Sequence, residues 1–550
     1  MSLPVPGPDD PRWDAPVSLP RSDRDLAWEM AYEPSAWQAM LLDLDRPCYA
    51  FSVDGHIAMA QDGMPGAAEG RGHDLVAIVP PMPAQQLGDP AFRARYGLQY
   101  AYAAGAMANG IASVELVTAL GRAGLLSSFG AAGLIPSRIE DAIHRIQQAL
   151  PNGPYAFNLI HSPSEEALEQ RAVDLYLKYG VTTVEASAFL DLTPHVVRYR
   201  AAGLTVDRGG EVAIGNRLIA KVSRREVASQ FMRPAPERLL RMLVERGWIT
   251  EQQARLAAQV PMADDITVEA DSGGHTDNRP LVCLLPSILA LRDEIQEELR
   301  YAQPLRVGAA GGIGTPAAVL GAFMMGAAYV VTGSVNQACV EAGTSAHTRH
   351  LLAEAGMADV MMAPAADMFE MGVKVQLLKR GTFFPLRAQK LYDLYQRYAS
   401  LEELPVSDRT QLEQRFFQRS FDAVWQETVD YFAERDPDQI RRAEGNPKRK
   451  MALVFRWYLG LSSRWSNSGT PGREMDYQIW CGPAMGAFND WARGSYLEQP
   501  GARHAADIAD HLMRGAAYLY RVQQLQCQGV RVPPALHHYH PQPQPGGAAA

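Results

Sequence analysis

Short apolar runs alternate with amphipathic, helix-like stretches through the middle of the chain. Strands buried on both faces read as continuous apolar runs, and their alternation with helices is typical of parallel βαβ units. Eight runs follow this pattern, at 100–105, 125–130, 155–160, 182–189, 217–223, 265–270, 305–310 and 329–334. Eight parallel units close a (β/α)8 TIM barrel, so the pattern predicts an α/β fold with such a barrel over residues 98–356.

The pattern of apolar and polar residues changes on either side of this stretch. Residues 25–97 contain strand-like runs broken by glycine and proline, which predicts a small β-rich N-terminal element. The fifth βα unit is unusually long, and its residues at about 232–262 predict a helical insertion. Residues 357–538 carry Trp, Tyr, Arg and Leu at helical spacing and predict a mainly α-helical C-terminal cap or substrate region. The Pro/Gly-rich ends, 1–24 and 539–550, predict disordered tails.

Composition and charge narrow the possible functions. The 550 residues carry a net charge of -9, which argues against a nucleic-acid partner because phosphate backbones are bound by concentrated Lys and Arg. The five cysteines are scattered without a CxxC pair, so neither a disulfide framework nor a zinc site is expected, and no metal site is predicted. No apolar run approaches the roughly 18 residues of a membrane span, and the first residues lack the order of a signal peptide. We therefore expect a cytoplasmic protein without a membrane partner.

Glycine-rich turns follow the seventh and eighth predicted strands, in AAGGIGTP and VTGSVNQA. In TIM barrels the loops after these two strands commonly hold a phosphate, because glycine turns at helix starts expose backbone N–H groups to an anion. Each turn alone can equally be a tight connection between a strand and a helix. The two turns together, in this order, favour a phosphate site formed by Gly311, Gly312, Gly333 and Ser334.

The stretch VEADSGGHTDNRP follows the sixth predicted strand. Its paired glycines, Gly273 and Gly274, would let the backbone approach a flat ligand held by the phosphate site. His275 directly after them would face the same ligand, although a histidine in this position can also be structural. Asn158 on the third strand and Lys221 on the fifth can reach the centre, where each could contact the ligand or satisfy a neighbouring layer of side chains.

Five longer motifs resemble one known family: AGAMANGIAS, FNLIHSP, VEADSGGHTDNRP, VGAAGGIGTPAAVLGAFMMGAAYVVTGSVNQ and DYQIWCGPAMGAFNDW. They closely resemble the PfaD-type trans-acting enoyl reductases, which accompany polyunsaturated fatty acid synthases and trans-acyltransferase polyketide synthases. These belong to the superfamily of nitronate monooxygenases (2-nitropropane dioxygenases) and FMN-dependent enoyl reductases. The resemblance covers roughly residues 40–530, and the narrower assignment rests mainly on the last motif.

The resemblance implies FMN in the barrel, NADPH as the hydride donor and an enoyl thioester on an acyl carrier protein as the acceptor. It implies His275 as the group that polarises or protonates the enolate, although water could also supply that proton. Where the superfamily commonly has Glu-Ala-Gly-Gly-His, this chain has Asp271-Ser272 before Gly-Gly-His, which weakens a carry-over of nitronate chemistry. A homodimer is also expected from the family. The predicted cofactor-binding residues are Ala106, Met107, Ala108, Asn158, Lys221, Asp271, Gly273, Gly274, Gly311, Gly312, Thr332, Gly333 and Ser334.

Three functions stay open at this point. The leading hypothesis is a trans-acting, FMN-dependent enoyl reductase of polyketide or polyunsaturated fatty acid biosynthesis. The second is a nitronate monooxygenase-like flavoprotein that oxidises a small molecule with O2, and the third is an assembly factor that keeps FMN for structure only. The basic stretch VKVQLLKRG (373–381) could receive an acidic carrier protein or simply face solvent. No separate dinucleotide motif is visible, so the sequence does not choose between NADPH and NADH.

Overall fold

The computed structural model of the chain describes residues 30–61, 73–161 and 166–543. The predicted tail at residues 1–24 lies outside this part, as do residues 544–550 of the other predicted tail. The described residues fall into two units. The first comprises residues up to 84 together with 517–539, and the second comprises residues 85–516 together with those from 540 onward.

The first unit is built on a three-stranded antiparallel sheet. Its elements are α1 (Pro34–Leu42), β1 (Cys48–Val53), β2 (His56–Ala60) and β3 (His73–Val79), and β1 is the central strand. The predicted β-rich N-terminal element is confirmed. Residues 517–539 also belong to this unit, and the buried guanidinium of Arg521 donates to the backbone oxygens of Leu41 and Asp43. A contact across 480 residues leaves no local pattern, which is why the sequence assigned this segment to the C-terminal region.

The second unit contains a closed barrel of eight parallel strands. Its strands are β4 (Tyr102–Ala104), β5 (Leu126–Phe129), β6 (Ala156–Ile160), β7 (Thr183–Ser187), β10 (Arg217–Val222), β11 (Asp265–Glu269), β13 (Arg306–Ala310) and β14 (Val330–Thr332). A short hairpin of β8 (Leu204–Val206) and β9 (Val212–Ile214) precedes β10. The barrel closes where β14 pairs with β4. Each of the eight predicted runs contains one of these strands, so the predicted TIM barrel is confirmed.

Helices precede the first barrel strand, fill the connections between the strands and follow the last strand. They are α2 (Pro90–Tyr96), α3 (Val114–Arg122), α4 (Pro136–Ala149), α5 (Glu166–Lys178), α6 (Pro194–Ala202), α7 (Arg225–Met232), α8 (Glu237–Glu245), α9 (Glu251–Ala257), α10 (Leu281–Leu299), α11 (Pro316–Met324) and α12 (Ser334–Gln337). The hydroxyls of Ser113, Thr193 and Thr315 each accept from the backbone N–H three residues further on, which fixes where α3, α6 and α11 begin. Three helices, α7 to α9, lie between β10 and β11, and the predicted helical insertion is confirmed.

The amino-terminal end of the barrel is closed by a buried charge cluster. The guanidinium of Arg306, at the start of β13, donates to both carboxylate oxygens of Asp265, at the start of β11, at 2.6 and 3.0 Å. The hydroxyl of Tyr96 donates to the same carboxylate at 2.6 Å. Because the barrel strands are parallel, the loops that can bind a ligand lie at the opposite end.

The C-terminal region contributes a small antiparallel sheet and a group of helices. The strands β12 (Gly274–His275), β15 (Val360–Pro364) and β16 (Lys374–Leu378) form the sheet, with β16 in the middle. The helices are α13 (Ala346–Ala353), α14 (Phe384–Arg397), α15 (Val406–Gln411), α16 (Phe421–Arg435), α17 (Asp438–Arg441), α18 (Pro447–Ser468), α19 (Ala484–Ala492) and α20 (Ala505–Cys527). The predicted helical character is confirmed, but β15 and β16 were not predicted, because the pattern of residues 357–538 was interpreted as mainly helical. In the described part of the chain, no helix combines the length and the apolarity that crossing a membrane requires.

Candidate active site

A cavity of about 810 Å³ lies at the carboxyl ends of the barrel strands. This volume is in the range typical of small-molecule and cofactor sites. The loops that follow the strands contribute most of its lining, and α16 and α18 contribute another part. All the predicted site residues except Asp271 line it: Ala106, Met107, Ala108, Asn158, Lys221, Gly273, Gly274, His275, Gly311, Gly312, Thr332, Gly333 and Ser334.

Two successive glycines after β13 are required for different reasons. Gly311 and Gly312 have φ angles of +83° and +75°, in the left-handed region that other residues avoid. A Cβ on Gly311 would lie 2.6 Å from the carbonyl carbon of Ala270, so the close approach of the loop after β11 fixes this position. A Cβ on Gly312, or on Gly333 after β14, would meet no atom within 4 Å. These two open positions, on neighbouring loops, leave room in the cavity for a group such as a phosphate.

The segment Cys481-Gly482 packs directly against two of the barrel loops. The backbone N–H of Gly482 donates to the hydroxyl oxygen of Ser334 at 3.0 Å, which leaves the hydroxyl hydrogen of Ser334 for a ligand. A Cβ on Gly273 would lie 3.0 Å from the backbone of both Cys481 and Gly482. The close packing of this backbone is by itself sufficient to require glycine at position 273, whether or not a ligand also approaches there. A Cβ on Gly274 would meet nothing within 4 Å, so this position has the open space that the approach of a ligand requires.

A partly buried lysine on β10 lies between two glutamates. The Nζ of Lys221 is 3.2 Å from a carboxylate oxygen of Glu269 and 3.7 Å from one of Glu185. Burial lowers the pKa of Lys221, but the two carboxylates raise this pKa by more, so the amine stays protonated. Glu185 also accepts from the backbone N–H of Ala106 at 3.2 Å, which ties the cluster to the loop after β4. The lysine thus offers the cavity a fixed positive charge.

His275 is positioned by the short strand to which it belongs. It lies opposite Val375 in the pairing of β12 with β16, which fixes the backbone beside the ring. Its Nε2 lies 3.2 Å from a carboxylate oxygen of Asp367, in the loop after β15. Burial lowers the pKa of His275, but Asp367 and then Glu269 raise it by more, so the pKa lies above its ordinary value. With Asp367 ionised, Nε2 carries a hydrogen toward that carboxylate, and Nδ1 is the ring atom available to a ligand.

Asp271 does not line the cavity, so the structure does not bring it together with the other predicted cofactor-binding residues. Its carboxylate accepts from the side-chain amides of Gln376 at 2.7 Å and Asn278 at 2.9 Å. Because Gln376 lies on β16, this carboxylate joins the loop after β11 to the C-terminal sheet. Asp271 is therefore a structural residue of the loop that carries His275.

Asn158 satisfies a neighbouring strand and lines the cavity as well. Its side-chain N–H groups donate to the hydroxyl of Ser187 at 2.6 Å and to the backbone oxygen of Glu185 at 3.1 Å. The hydrogens of this amide therefore serve β7, which is one of the two alternatives open from the sequence, and its oxygen can accept from a ligand.

Sequence reasoning missed three acidic residues of the site. Glu185 and Glu269 lie within apolar strand runs, TTVEASAF and DITVEA, and a charge inside a buried run was the signal that could have found them. Asp367 lies 92 residues from His275 and in none of the motifs, so no local signal marks it. Its role depends on the sheet that joins β12 to β16.

The fold and the cavity together define a class of protein: a TIM barrel with a cavity at the carboxyl ends of its strands, lined in part by the glycine turns after β13 and β14. Two family models match the chain. Residues 29–81 match the N-terminal domain of fatty acid synthase subunit PfaD. Residues 398–477 match the inserted helical domain of acyl-carrier-protein S-malonyltransferase.

Individual relatives agree with these family matches. The chain is 51% identical over 498 residues to a polyunsaturated fatty acid synthase subunit of Thraustochytrium sp., covering 88% of this chain and 32% of that protein. It is 49% identical over 437 residues to the polyketide biosynthesis protein PksE of Bacillus subtilis, covering 79% of this chain and 57% of that protein. The chain thus spans only part of the length of these relatives.

A solved structure supports the same relation. The crystal structure of the enoyl reductase domain of MlnA, from the macrolactin biosynthesis cluster of Bacillus amyloliquefaciens, matches with a TM-score of 0.77 and 41% identity. The match covers 81% of this chain and 100% of that domain. The chain belongs to the family of PfaD-type enoyl reductases, and the resemblance seen in the motifs is confirmed.

Proposed function

We propose that the chain is an FMN-dependent enoyl reductase, which uses NADPH to reduce the α,β-double bond of thioesters carried on an acyl carrier protein. The arrangement of the cavity carries this proposal. Two open glycine positions on neighbouring strand ends and a histidine–aspartate pair share one space at the mouth of the barrel. Family membership supports the same class of reaction, since the MlnA relative is described as an enoyl reductase domain.

The residues of the cavity fit FMN. The open space beside Gly312 and Gly333 suits the phosphate, where backbone N–H groups can donate to its oxygens. Lys221 offers a protonated amine to an electron-rich part of the ring system, and Met107 offers an apolar contact. The residues that would hold the cofactor are Ala106, Met107, Ala108, Asn158, Lys221, Gly274, Gly312, Thr332, Gly333 and Ser334.

The protein's own groups have a distinct task in this reaction. When bound, FMN supplies the transfer of a hydride from NADPH to the β-carbon of the enoyl group. Hydride addition develops negative charge on the thioester oxygen, and the α-carbon then needs a proton. The raised pKa of His275 favours the protonated ring, which can donate from Nδ1 to that oxygen or deliver the proton. Asp367 accepts from Nε2 and holds the ring in one orientation.

Two observations support a substrate carried on a protein. The curated relatives are described as a polyunsaturated fatty acid synthase subunit and a polyketide biosynthesis protein. Residues 398–477, which match the inserted helical domain of a transferase named for acyl carrier protein, contain α15 to α18. Two of these helices, α16 and α18, contribute to the wall of the cavity.

The test combines a spectrum with turnover. The purified chain should bind FMN and consume NADPH when a crotonyl thioester on a carrier protein is added. The His275→Ala variant should keep its FMN and lose on the order of a hundredfold in turnover, a typical contribution of a general acid. His350→Ala is the matched control, because His350 is exposed on α13 and does not line the cavity.

Each failure would identify the part that is wrong. A chain that binds no FMN would remove the cofactor and the reductase assignment together. A reduced flavin that transfers electrons to O2 in the presence of a nitronate, and ignores the crotonyl thioester, would favour an oxidase. Unchanged turnover in His275→Ala would leave the reductase in place and assign the proton to another donor.

A further inference from the structure

A glycine in the middle of the long helix α18 is exposed to the cavity. Gly460 lies 13 residues after the start of this 22-residue helix and 8 residues before its end. Glycine is the least favourable residue in a helix interior after proline, so an interior glycine indicates another requirement at that position. Close packing is not the requirement, because a Cβ on Gly460 would meet no atom within 4 Å. The missing side chain leaves open space in the cavity.

The neighbours of Gly460 on α18 show that this face lies over the mouth of the barrel. Arg456, one turn earlier, lies 3.4 Å from Glu370, near the loop that carries Asp367. Ser463, one turn later, accepts from the side-chain amide of Asn109, in the loop after β4, at 3.0 Å. Positions 456, 460 and 463 share one helix face, and all three line the cavity. Gly460 therefore lies above the space between the His275 side and the β4 side of the site.

Beyond Gly460, other side chains of α16 and α18 also line the cavity. The apolar ones are Phe432 from α16 and Leu453, Trp457 and Leu461 from α18, and they lie among polar ones that include Glu427, Thr428 and Arg464. The indole N–H of Trp457 donates to the carboxylate of Glu427 at 3.2 Å, which ties the two helices together. The apolar side chains in this part of the lining, in the same cavity as His275, suit an alkyl chain attached to the reacting group.

We propose that Gly460 opens the passage by which the acyl chain of the substrate extends from the barrel mouth into the space between α16 and α18. The size of the side chain at position 460 then sets the length of the chain that the site accepts. This inference rests on the proposed function for its substrate class. It assigns the specificity for chain length to one position of α18 and not to the barrel loops.

The expected loss of affinity can be calculated from the free energy of transferring methylene groups from water to an apolar site. Each methylene that is excluded from an apolar site weakens binding by about fourfold. A leucine at position 460 that excludes two or three methylenes should therefore weaken binding of a long chain by roughly fifteen- to sixtyfold relative to a short one.

The experiment compares a four-carbon with a twelve-carbon substrate on the holoenzyme. We would measure kcat/KM for crotonyl and trans-2-dodecenoyl pantetheine thioesters in the native chain and in Gly460→Leu. The ratio of long to short should fall by at least about tenfold in the variant. Gly321→Leu is the matched control, because Gly321 is also interior to a helix, α11, and open within 4 Å, but does not line the cavity. Its ratio should equal that of the native chain.

A binding measurement separates this inference from the proposed function. Butyl and dodecyl thioethers of pantetheine cannot be reduced, and calorimetry gives their Kd without turnover. If the native chain reduces neither thioester but binds the dodecyl ligand more tightly, and Gly460→Leu removes that preference, the passage is supported while the reductase proposal fails. An unchanged ratio in Gly460→Leu, or equal binding of the two thioethers by the native chain, would overturn the passage.

Discussion

Replacement of Gly312 by alanine tests the phosphate site most directly. Gly312 lines the cavity, has a φ of +75° and would place an added Cβ in open space. The added methyl group therefore meets no protein atom, but it enters the space that we assign to the phosphate of FMN. Gly311→Ala cannot serve this purpose, since its Cβ would lie 2.6 Å from the backbone of Ala270 and would disturb the loop itself.

The substitution has two free-energy costs, one on folding and one on FMN binding, and only the second changes the Kd for FMN. The left-handed conformation costs an alanine about 1–2 kcal/mol of folding free energy, a loss that is present whether or not a ligand is bound. Loss of one hydrogen bond from the backbone to a charged phosphate oxygen costs about 1.5–3 kcal/mol of binding free energy. The Kd for FMN should therefore rise by roughly ten- to a hundredfold.

Riboflavin separates the phosphate from the rest of the cofactor. Flavin fluorescence would be titrated with the native chain and with Gly312→Ala, using FMN and riboflavin in parallel. Gly247→Ala is the control for backbone strain, because Gly247 has a φ of +67°, is open within 4 Å and lies outside the cavity lining. We expect Gly312→Ala to weaken FMN alone and Gly247→Ala to weaken neither ligand.

Two results would refute the reasoning. If Gly312→Ala binds FMN as tightly as the native chain does, the phosphate does not lie on this loop. If FMN and riboflavin weaken by the same factor, the loop contacts the ring system or the variant has lost its fold, and unfolding measurements against Gly247→Ala would separate these cases.

The remaining predictions concern His275 and the buried ion pair at the amino-terminal end of the barrel. Asp367→Asn should lower the pKa of His275, because burial and Lys221 lower this pKa and only Glu269 would then still raise it. The protonated ring is lost as pH rises through its pKa. The fall of kcat at high pH should therefore begin at a lower pH in the variant than in the native chain. If the fall of kcat at high pH begins at the same pH in both proteins, Asp367 does not control the pKa of the catalytic proton donor. Arg306→Ala should cost about 3–5 kcal/mol of stability, because it strands the fully buried carboxylate of Asp265. Urea unfolding measures this loss, and the double variant with Asp265→Asn should recover part of it; equal stability of Arg306→Ala and the native chain would contradict the ion pair's role.

The barrel could be predicted from the sequence because its signal is local. Each strand lies in a short, mostly apolar run that is followed by a helix, so the eight units are visible without any knowledge of their packing. The glycines after β13 and β14 carry a similar local signal. The sequence could not show that Gly311 and Gly312 are required for different reasons, because only the position of Ala270 distinguishes them.

The parts that escaped prediction depend on contacts between distant segments. Asp367 reaches His275 only because β12 pairs with β16 across about a hundred residues of chain. The packing of Gly273 against the backbone of Cys481 and Gly482 was also not visible, because these segments lie far apart along the chain. Residues 517–539 comprise the end of α20 and the segment after it, and no local pattern assigns them to the unit of the N-terminal sheet.

The contact of Cys481-Gly482 with the barrel loops has a practical consequence for protein engineering. A fragment cut after residue 356 would retain every strand and every glycine turn of the barrel, yet it would lack the backbone that covers Gly273 and the donor to Ser334. It would also lack the carboxylate that orients His275. Any attempt to transplant the catalytic module into another host protein should therefore carry the chain through α19 as one uninterrupted piece.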